Sequence, residues 1–147
     1  MTELVMFAYP WDILEQGVDS FFNEMTALGV NRLSVATCYH SADLIVPNRL
    51  KNVATSAEEN VAHLPLNDDI FSDLAIPKGS LVKNHPSLFP EIHSAARKHS
   101  IGLTAWTIAF HNSDLAKRNP DSAIENCFGD KFSHGLCATN PKSQEYA

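Results

Sequence analysis

The sequence predicts an α/β fold and, more narrowly, part of a (β/α)₈ barrel containing about its first three β/α units. Three apolar segments have the length and composition of buried strands: residues 3–9, residues 33–37 and a stretch that starts at Leu103. Polar side chains follow each segment at the point where the apolar run stops. The carboxyl ends of parallel strands form the ligand-binding rim of β/α folds, so these polar residues are the first candidates for a functional site.

The first strand, the helix after it and the second strand form the best-defined unit. Residues 3–9 are too short for a helix that stands alone, and Pro10 bounds them. One apolar stripe at helical spacing then follows, formed by Val18, Phe21, Phe22, Met25 and Leu28. Gly29 occupies the position of a left-handed residue that ends a helix. A helix that connects two apolar strands in this way predicts parallel pairing.

A second amphipathic helix precedes the third strand. Its apolar stripe consists of Leu88, Ile92, Ala95, Ala96 and His99. Between the second strand and this helix, residues 42–86 have mixed polarity and several prolines, so we expect a long insertion. Within the insertion, residues 61–66 and 80–83 are candidates for short extra strands. Loops of this length are either functional or tolerated surface insertions, and the sequence leaves both interpretations open.

The last third of the chain contains two further helix starts. Asn119 and Pro120 predict a short helix through Asn126. Asn140 is a good N-cap and Pro141 a good first helical residue. Fewer residues follow than the ~10–14 of an average helix. We therefore expect residues 1–147 to form a single, incomplete β/α-barrel domain.

Charge and composition exclude several classes of protein. The net charge is -6 and the basic residues are scattered, so nucleic-acid binding is not expected. The N-terminus has no secretory signal and no apolar run is long enough to span a membrane, which predicts a cytoplasmic protein. The three cysteines lack CxxC spacing, so a disulfide framework is not expected either. Nothing in the sequence predicts the oligomeric state or a bound cofactor.

His40 and His111 are the strongest functional candidates, because each follows the end of a predicted strand. An imidazole at that position can bind a substrate hydroxyl, transfer a proton or bind a metal ion, and it can equally satisfy a loop carbonyl. Tyr39 and Asn112 are their neighbours and join the predicted substrate site. Cys38 belongs to a metal site only in a minor interpretation, and a small buried thiol is the commoner case.

Three more polar or aromatic residues complete the predicted substrate site. Trp11 can stack on the face of a sugar ring, and Asp12 can bind hydroxyl groups or begin a helix. Asp130 can reach the same cavity, although a solvated loop position is the alternative. Trp106 lies within the third strand, where packing in the barrel is favoured over lining a cavity.

Several short motifs together resemble the N-terminal part of a largely uncharacterised bacterial family that is similar to the TIM-barrel glycoside hydrolases. The segments that carry the resemblance span most of the chain outside the insertion. They are residues 9–12 (Tyr-Pro-Trp-Asp), 36–41 (Ala-Thr-Cys-Tyr-His-Ser), 105–107 (Ala-Trp-Thr), 111–112 (His-Asn), 119–121 (Asn-Pro-Asp), 126–130 (Asn-Cys-Phe-Gly-Asp) and 137–141 (Cys-Ala-Thr-Asn-Pro).

The resemblance implies a barrel that binds or hydrolyses carbohydrate with two carboxylates on later strands. The catalytic residues are then expected beyond Ala147, and this chain by itself is expected to be inactive. Two other hypotheses remain open from the residues alone. One is a complete, small flavodoxin-like domain that binds a ligand, and the other is a metal-dependent barrel hydrolase or isomerase that uses His40 and His111.

Overall fold

A computed structural model describes residues 2–45, 54–67 and 77–147 of the chain. The strands in this part are β1 (Val5–Ala8), β2 (Arg32–Cys38), β3 (Ala42–Ile45), β4 (Ala54–Ala57), β5 (Gly102–Thr107), β6 (Ala123–Glu125) and β7 (Lys131–Leu136). The helices are α1 (Pro10–Gln16), α2 (Val18–Ala27), α3 (Ser80–Asn84), α4 (Leu88–Lys98), α5 (Ser113–Arg118) and α6 (Pro141–Tyr146). No helix among the described residues has the length and hydrophobicity needed to cross a membrane.

The contacts of the chain divide it into two units. The described residues of unit 1 are 2–37, 62–66 and 78–107, and those of unit 2 are the remaining ones. Unit 1 contains a parallel, three-stranded sheet with the order β1-β2-β5. The predicted strands are therefore present, and β1 and β2 pair in parallel as expected, with Phe7 opposite Ser34. The resulting class is mixed α/β.

Helices α2 and α4 cover one face of the sheet in unit 1. Their buried residues are Phe21, Phe22 and Met25 from α2, and Leu88, Ile92, Ala95 and Ala96 from α4. These side chains pack with Leu33 and Val35 of β2. Both predicted apolar stripes are thereby confirmed, except that Leu28 and His99 lie just past the ends of α2 and α4. Leu28 is 55% exposed because α2 ends at Ala27. Gly29 has φ +77°, as its predicted left-handed position requires.

Helix α1 lies where the sequence analysis placed only a boundary. Pro10 begins the helix, since its fixed φ suits a first helical position and its missing N–H has no partner there. Gly17 then separates α1 from α2 with φ +84°, a conformation that few other residues adopt. Ile13 is fully buried and joins the same core as α2. Trp11 and Asp12 are therefore helical residues.

Unit 2 is built around two antiparallel strand pairs. Strand β3 pairs with β4, and β6 pairs with β7. The second pair contributes to a small core formed by Leu115, Ala116, Ala123, Leu136 and Tyr146. Helix α6 begins at Pro141 with Asn140 as its cap, as predicted.

Two local predictions are wrong. Residues 119–126 do not form a helix, because one 3₁₀ turn over Pro120–Ser122 is followed directly by β6. Residues 80–83 are not a strand, since they belong to α3. The expected insertion is described only in part, because residues 46–53 and 68–76 lie outside the described residues. The barrel and the single-domain organisation stay predictions.

Leu33 provides a test of the unit 1 core. Its side chain is fully buried near the start of β2, so replacing it with alanine leaves a cavity under both helices. We expect Leu33→Ala to lower the free energy of unfolding by about 2–5 kcal/mol in urea denaturation. The matched control is Leu28→Ala, which removes the same atoms from an exposed position and should change the stability by less than about 0.5 kcal/mol. Equal losses in the two variants would contradict this description of the core.

Candidate functional site

An aromatic cluster formed by Phe7, Tyr9, Trp11 and Trp106 lies in unit 1. The Trp106 ring meets Phe7 edge-on at 5.3 Å between centroids and lies 5.5 Å from Tyr9 in a tilted arrangement. Tyr9 in turn stacks on Trp11 at 4.6 Å, with only 10° between the ring planes. Phe7 remains 59% exposed, and the other three rings are half-buried. The cluster therefore offers a continuous, accessible aromatic surface.

Small side chains on the central strand allow this cluster to form. Phe7 and Trp106 belong to the two strands that flank β2, so their rings meet across it. The register puts Ser34 on the same face as Phe7, and the alternation of side chains along β2 puts Ala36 there too. Both are buried, at 5% and 0% exposure. A larger side chain at either position would occupy the space where the two rings meet.

The cluster lies at the carboxyl end of the parallel sheet. Tyr9 directly follows β1, and Trp106 is the penultimate residue of β5. Polar contacts are found at the amino end of the same face. Arg32 donates to Glu3 at 2.6 Å and to Thr104 Oγ1 at 3.4 Å. The open face thus has an aromatic end and a charged end, and the aromatic end is the one at which β/α folds bind ligands.

Trp11 and Asp12 reach this region from α1. Trp11 contacts the ring of His63 edge-on at 5.2 Å. His63 is nearly fully buried, and its backbone N–H donates to the carbonyl of Thr37 at 2.8 Å, so the segment after β4 returns to the sheet. Asp12 lies in the first turn of α1, where a carboxylate is stabilised by the helix dipole. A ligand-binding role for Trp11 and Asp12 stays a prediction.

A second group of side chains, the histidine stack, lies in unit 2. It consists of Tyr39, His40 and His111, with ring centroids 4.4 Å and 5.1 Å apart and nearly parallel planes. His134 meets the His111 ring edge-on at 6.2 Å. The backbone N–H of Ile108 donates to the carbonyl of Cys38, which joins the two segments that carry the histidines. The structure therefore brings together three of the residues predicted for one site.

The tautomer of His40 follows from its surroundings. His40 Nδ1 lies 2.7 Å from the carbonyl oxygen of Ser41, which can only accept a hydrogen bond. Nδ1 therefore carries the proton, and in the neutral ring Nε2 is the accepting nitrogen. His40 satisfies a loop carbonyl with one nitrogen and keeps the other for a ligand, so both interpretations of this residue are compatible with the structure.

The stacked geometry does not suit a metal shared by His40 and His111. The lone pair of an imidazole nitrogen lies in the plane of its ring, and the two planes are stacked only 22° apart. Lone pairs in stacked, nearly parallel planes do not converge on one ion. Within residues 2–45, 54–67 and 77–147, no group of three or more His, Cys, Asp or Glu side chains could hold a metal ion. Burial also raises the pKa of the Cys38 thiol, which opposes a thiolate ligand there.

Glu59 is a charged neighbour of the histidine stack that is not among the residues predicted from the sequence. The Ser113 hydroxyl, and after it the Asn60 side chain, hydrogen-bond the Glu59 carboxyl and lower its pKa. The charges of Lys117 and His111 act in the same direction. Glu59 lies in the predicted insertion, about fifty residues from His111 and Ser113, so no local pattern in the sequence identifies it.

Asn112 has a structural role in unit 2. Its Oδ1 accepts the backbone N–H of Leu115 at 2.9 Å and caps α5, and its Nδ2 donates to the Tyr146 hydroxyl at 3.1 Å. With 1% exposure the side chain is enclosed by the protein. The same environment raises the pKa of Tyr146, chiefly through burial. Both polar atoms of the Asn112 side chain are thus already hydrogen-bonded within the protein. Contact between Asn112 and a substrate stays a prediction.

Asp130 belongs to the turn between β6 and β7. Its backbone N–H donates to Asn126 Oδ1, and its carboxylate accepts from Asn126 Nδ2, both at 2.9 Å. Asp130 is exposed, as the alternative interpretation of a solvated loop position expected.

No protein-family model, curated protein sequence or solved structure matches the chain.

The hydrogen bond between Ser113 and Glu59 gives a prediction about pH. Because the pKa of Glu59 is lower in the folded protein, its stabilising contribution is complete above the pKa of an unfolded glutamate. That contribution is lost as the pH falls through the folded value. We expect Ser113→Ala to raise the pKa of Glu59 toward its ordinary value, measured by carboxyl-carbon NMR titration. The control is Ser133→Ala on the exposed side of β7, and an identical Glu59 titration in the wild-type and Ser113→Ala proteins would refute the assignment.

Proposed function

We propose that the chain is part of a glycoside-hydrolase-like β/α barrel and that its aromatic cluster binds carbohydrate. The observation that carries the proposal is the accessible surface of Phe7, Tyr9, Trp11 and Trp106 at the carboxyl end of a parallel sheet. Sugar rings have apolar C–H faces that pack on aromatic rings, while their hydroxyl groups need polar partners at the rim. The resemblance noted in the sequence points to the same class of ligand.

The order of the strands supports the barrel part of the proposal. In the parallel sheet the strands follow each other in the order in which they occur in the chain, β1-β2-β5. Consecutive β/α units in a barrel have this order. A flavodoxin-like sheet instead places the first strand between the second and the third. The sequential order therefore favours the barrel over the flavodoxin-like alternative.

Within the described part of the chain, strand β1 is an exposed edge of the sheet, which is consistent with further β/α units. Four successive residues from Leu4 to Phe7 are between 37% and 59% exposed, although all four are apolar. An edge strand with apolar side chains on both faces is a liability unless another element covers it. In a closed barrel, the first strand would pair with the last one and this edge would be buried.

Charge favours sugars over nucleic acids as the stacking partner. Aromatic rings also stack on nucleobases, but nucleic-acid sites add a basic groove that follows the phosphates. The net charge of the chain is -6, and Arg32 on the open face is paired with Glu3. A neutral, polyhydroxylated ligand meets no electrostatic penalty there. The three free cysteines agree with the cytoplasmic location that the proposal retains.

Binding can be tested through the two tryptophans, which both lie in the cluster. We expect neutral oligosaccharides of glucose, xylose, mannose or galactose to change the tryptophan fluorescence of the chain. Phe7→Ala should weaken that binding about 5-fold, equivalent to ~1 kcal/mol, because one stacking surface is lost. The matched control is Phe128→Ala, which removes a ring that is 86% exposed in unit 2 and outside the cluster. Either the absence of binding to every sugar or equal weakening by both substitutions would count against the proposal.

The proposal also predicts that the chain does not hydrolyse glycosides. Glycosidases place two carboxylates across the scissile bond, and the resemblance puts that pair on strands beyond Ala147. We expect chromogenic glycosides of the sugars that bind to remain intact with the chain. Turnover that is abolished by a single carboxylate substitution within residues 2–147 would show that the catalytic pair has been misplaced.

A further inference from the structure

Ser143 has a buried hydroxyl group that no described residue satisfies. The residue is 1% exposed on α6, and its Oγ forms no hydrogen bond within the described part of the chain. Its backbone N–H is occupied, since it donates to Asn140 Oδ1 at 3.4 Å. A buried hydroxyl without a partner costs about 1–3 kcal/mol, so such groups normally have a partner.

A small cavity lies next to this hydroxyl. Its volume, counted as the space open to the centre of a water molecule, is about 10 Å³. Six residues line it: Leu115, Asn119, Ser122, Leu136, Lys142 and Ser143. By the same measure one water needs about 10–15 Å³, so the volume is sufficient for a single water molecule.

The polar side chains around the cavity can bind such a water. Ser122, which is 4% exposed, uses its hydroxyl proton in a 3.4 Å bond to Asn140 Oδ1 and keeps its lone pairs for an incoming donor. Asn119 donates through Nδ2 to the carbonyl of Leu115, so Oδ1 is its accepting atom. The Ser143 hydroxyl supplies a donor. One water would then make three hydrogen bonds, the usual number for a buried water.

We propose that one buried water molecule occupies this cavity and joins Ser143 of α6 to Ser122 and Asn119 beside α5. Its role is to satisfy the Ser143 hydroxyl and to connect α6 to the rest of unit 2. The inference is independent of carbohydrate binding, because it concerns only side chains of unit 2.

High-resolution crystallography of the full chain tests the proposal directly. We expect a density peak within about 3.2 Å of Ser143 Oγ and of either Ser122 Oγ or Asn119 Oδ1. A Ser143 hydroxyl that donates to a backbone carbonyl beside an empty cavity would overturn it. Serine hydroxyls in helices form that bond readily, so the outcome is a real alternative.

Solution measurements provide a second test that does not require crystals. A long-lived buried water should transfer magnetisation to the methyl protons of Leu115 in water-selective NMR, and the absence of transfer would overturn the proposal. Ser143→Ala should weaken this transfer and lower Tm by about 2–4 °C. The control is Ser94→Ala, an equivalent substitution on the exposed side of α4 in unit 1. A higher Tm for Ser143→Ala than for this control would mean that the hydroxyl is unsatisfied, which contradicts a bound water.

Discussion

Coverage of strand β2 on both faces is the constraint on which unit 1 depends. The strand pairs with β1 on one side and β5 on the other, and its residues from Leu33 to Cys38 are all buried. Large side chains at Leu33 and Val35 fill the face under α2 and α4. On the opposite face Ser34 and Ala36 are too small to cover the strand themselves, so neighbouring strands must supply the cover.

The aromatic cluster meets this requirement and gains a second capacity by doing so. Phe7 and Trp106 meet above the small residues and shield them from water. A planar ring that covers the backbone on one face presents its other face to solvent. The same side chains that complete the packing of β2 therefore provide a surface on which a flat, partly apolar ligand can stack.

The parts of the fold that the sequence predicts are those with several repeats of one period. The stripes of α2 and α4 extend over about three helical turns, and their apolar partners lie on one face of β2. The elements it misses are short. Helix α1 spans two turns, and its first residue, Pro10, is equally suited to end a strand. At Ile124 the local preference for a helix after Pro120 loses to cross-strand pairing with Phe132 of β7, which helical periodicity does not report.

The candidate sites show the same limit of local patterns. His40 and His111 are predicted because each follows a strand, and the hydrogen bond between the backbones of Cys38 and Ile108 does bring them together. Asn112 is predicted as the neighbour of His111, yet its amide is used to cap α5. Glu59 was missed because only tertiary structure brings it to Ser113. Position at the end of a strand thus predicts proximity, whereas the hydrogen bonds of the folded state decide which side chains stay available for a ligand.

The polarity of the open face is consistent with the binding role proposed for the aromatic cluster. If aromatic rings served only to cover β2, they would be equally useful anywhere along the strand. Instead the rings occupy the carboxyl end, and the amino end of the same face is closed by Arg32 with Glu3 and Thr104. An ion pair at that end gives modest stability and no stacking surface. The accessible aromatic surface therefore lies at the carboxyl end of the sheet, where β/α folds bind ligands. The polar contacts of Arg32 lie at the amino end, where residues contribute to stability.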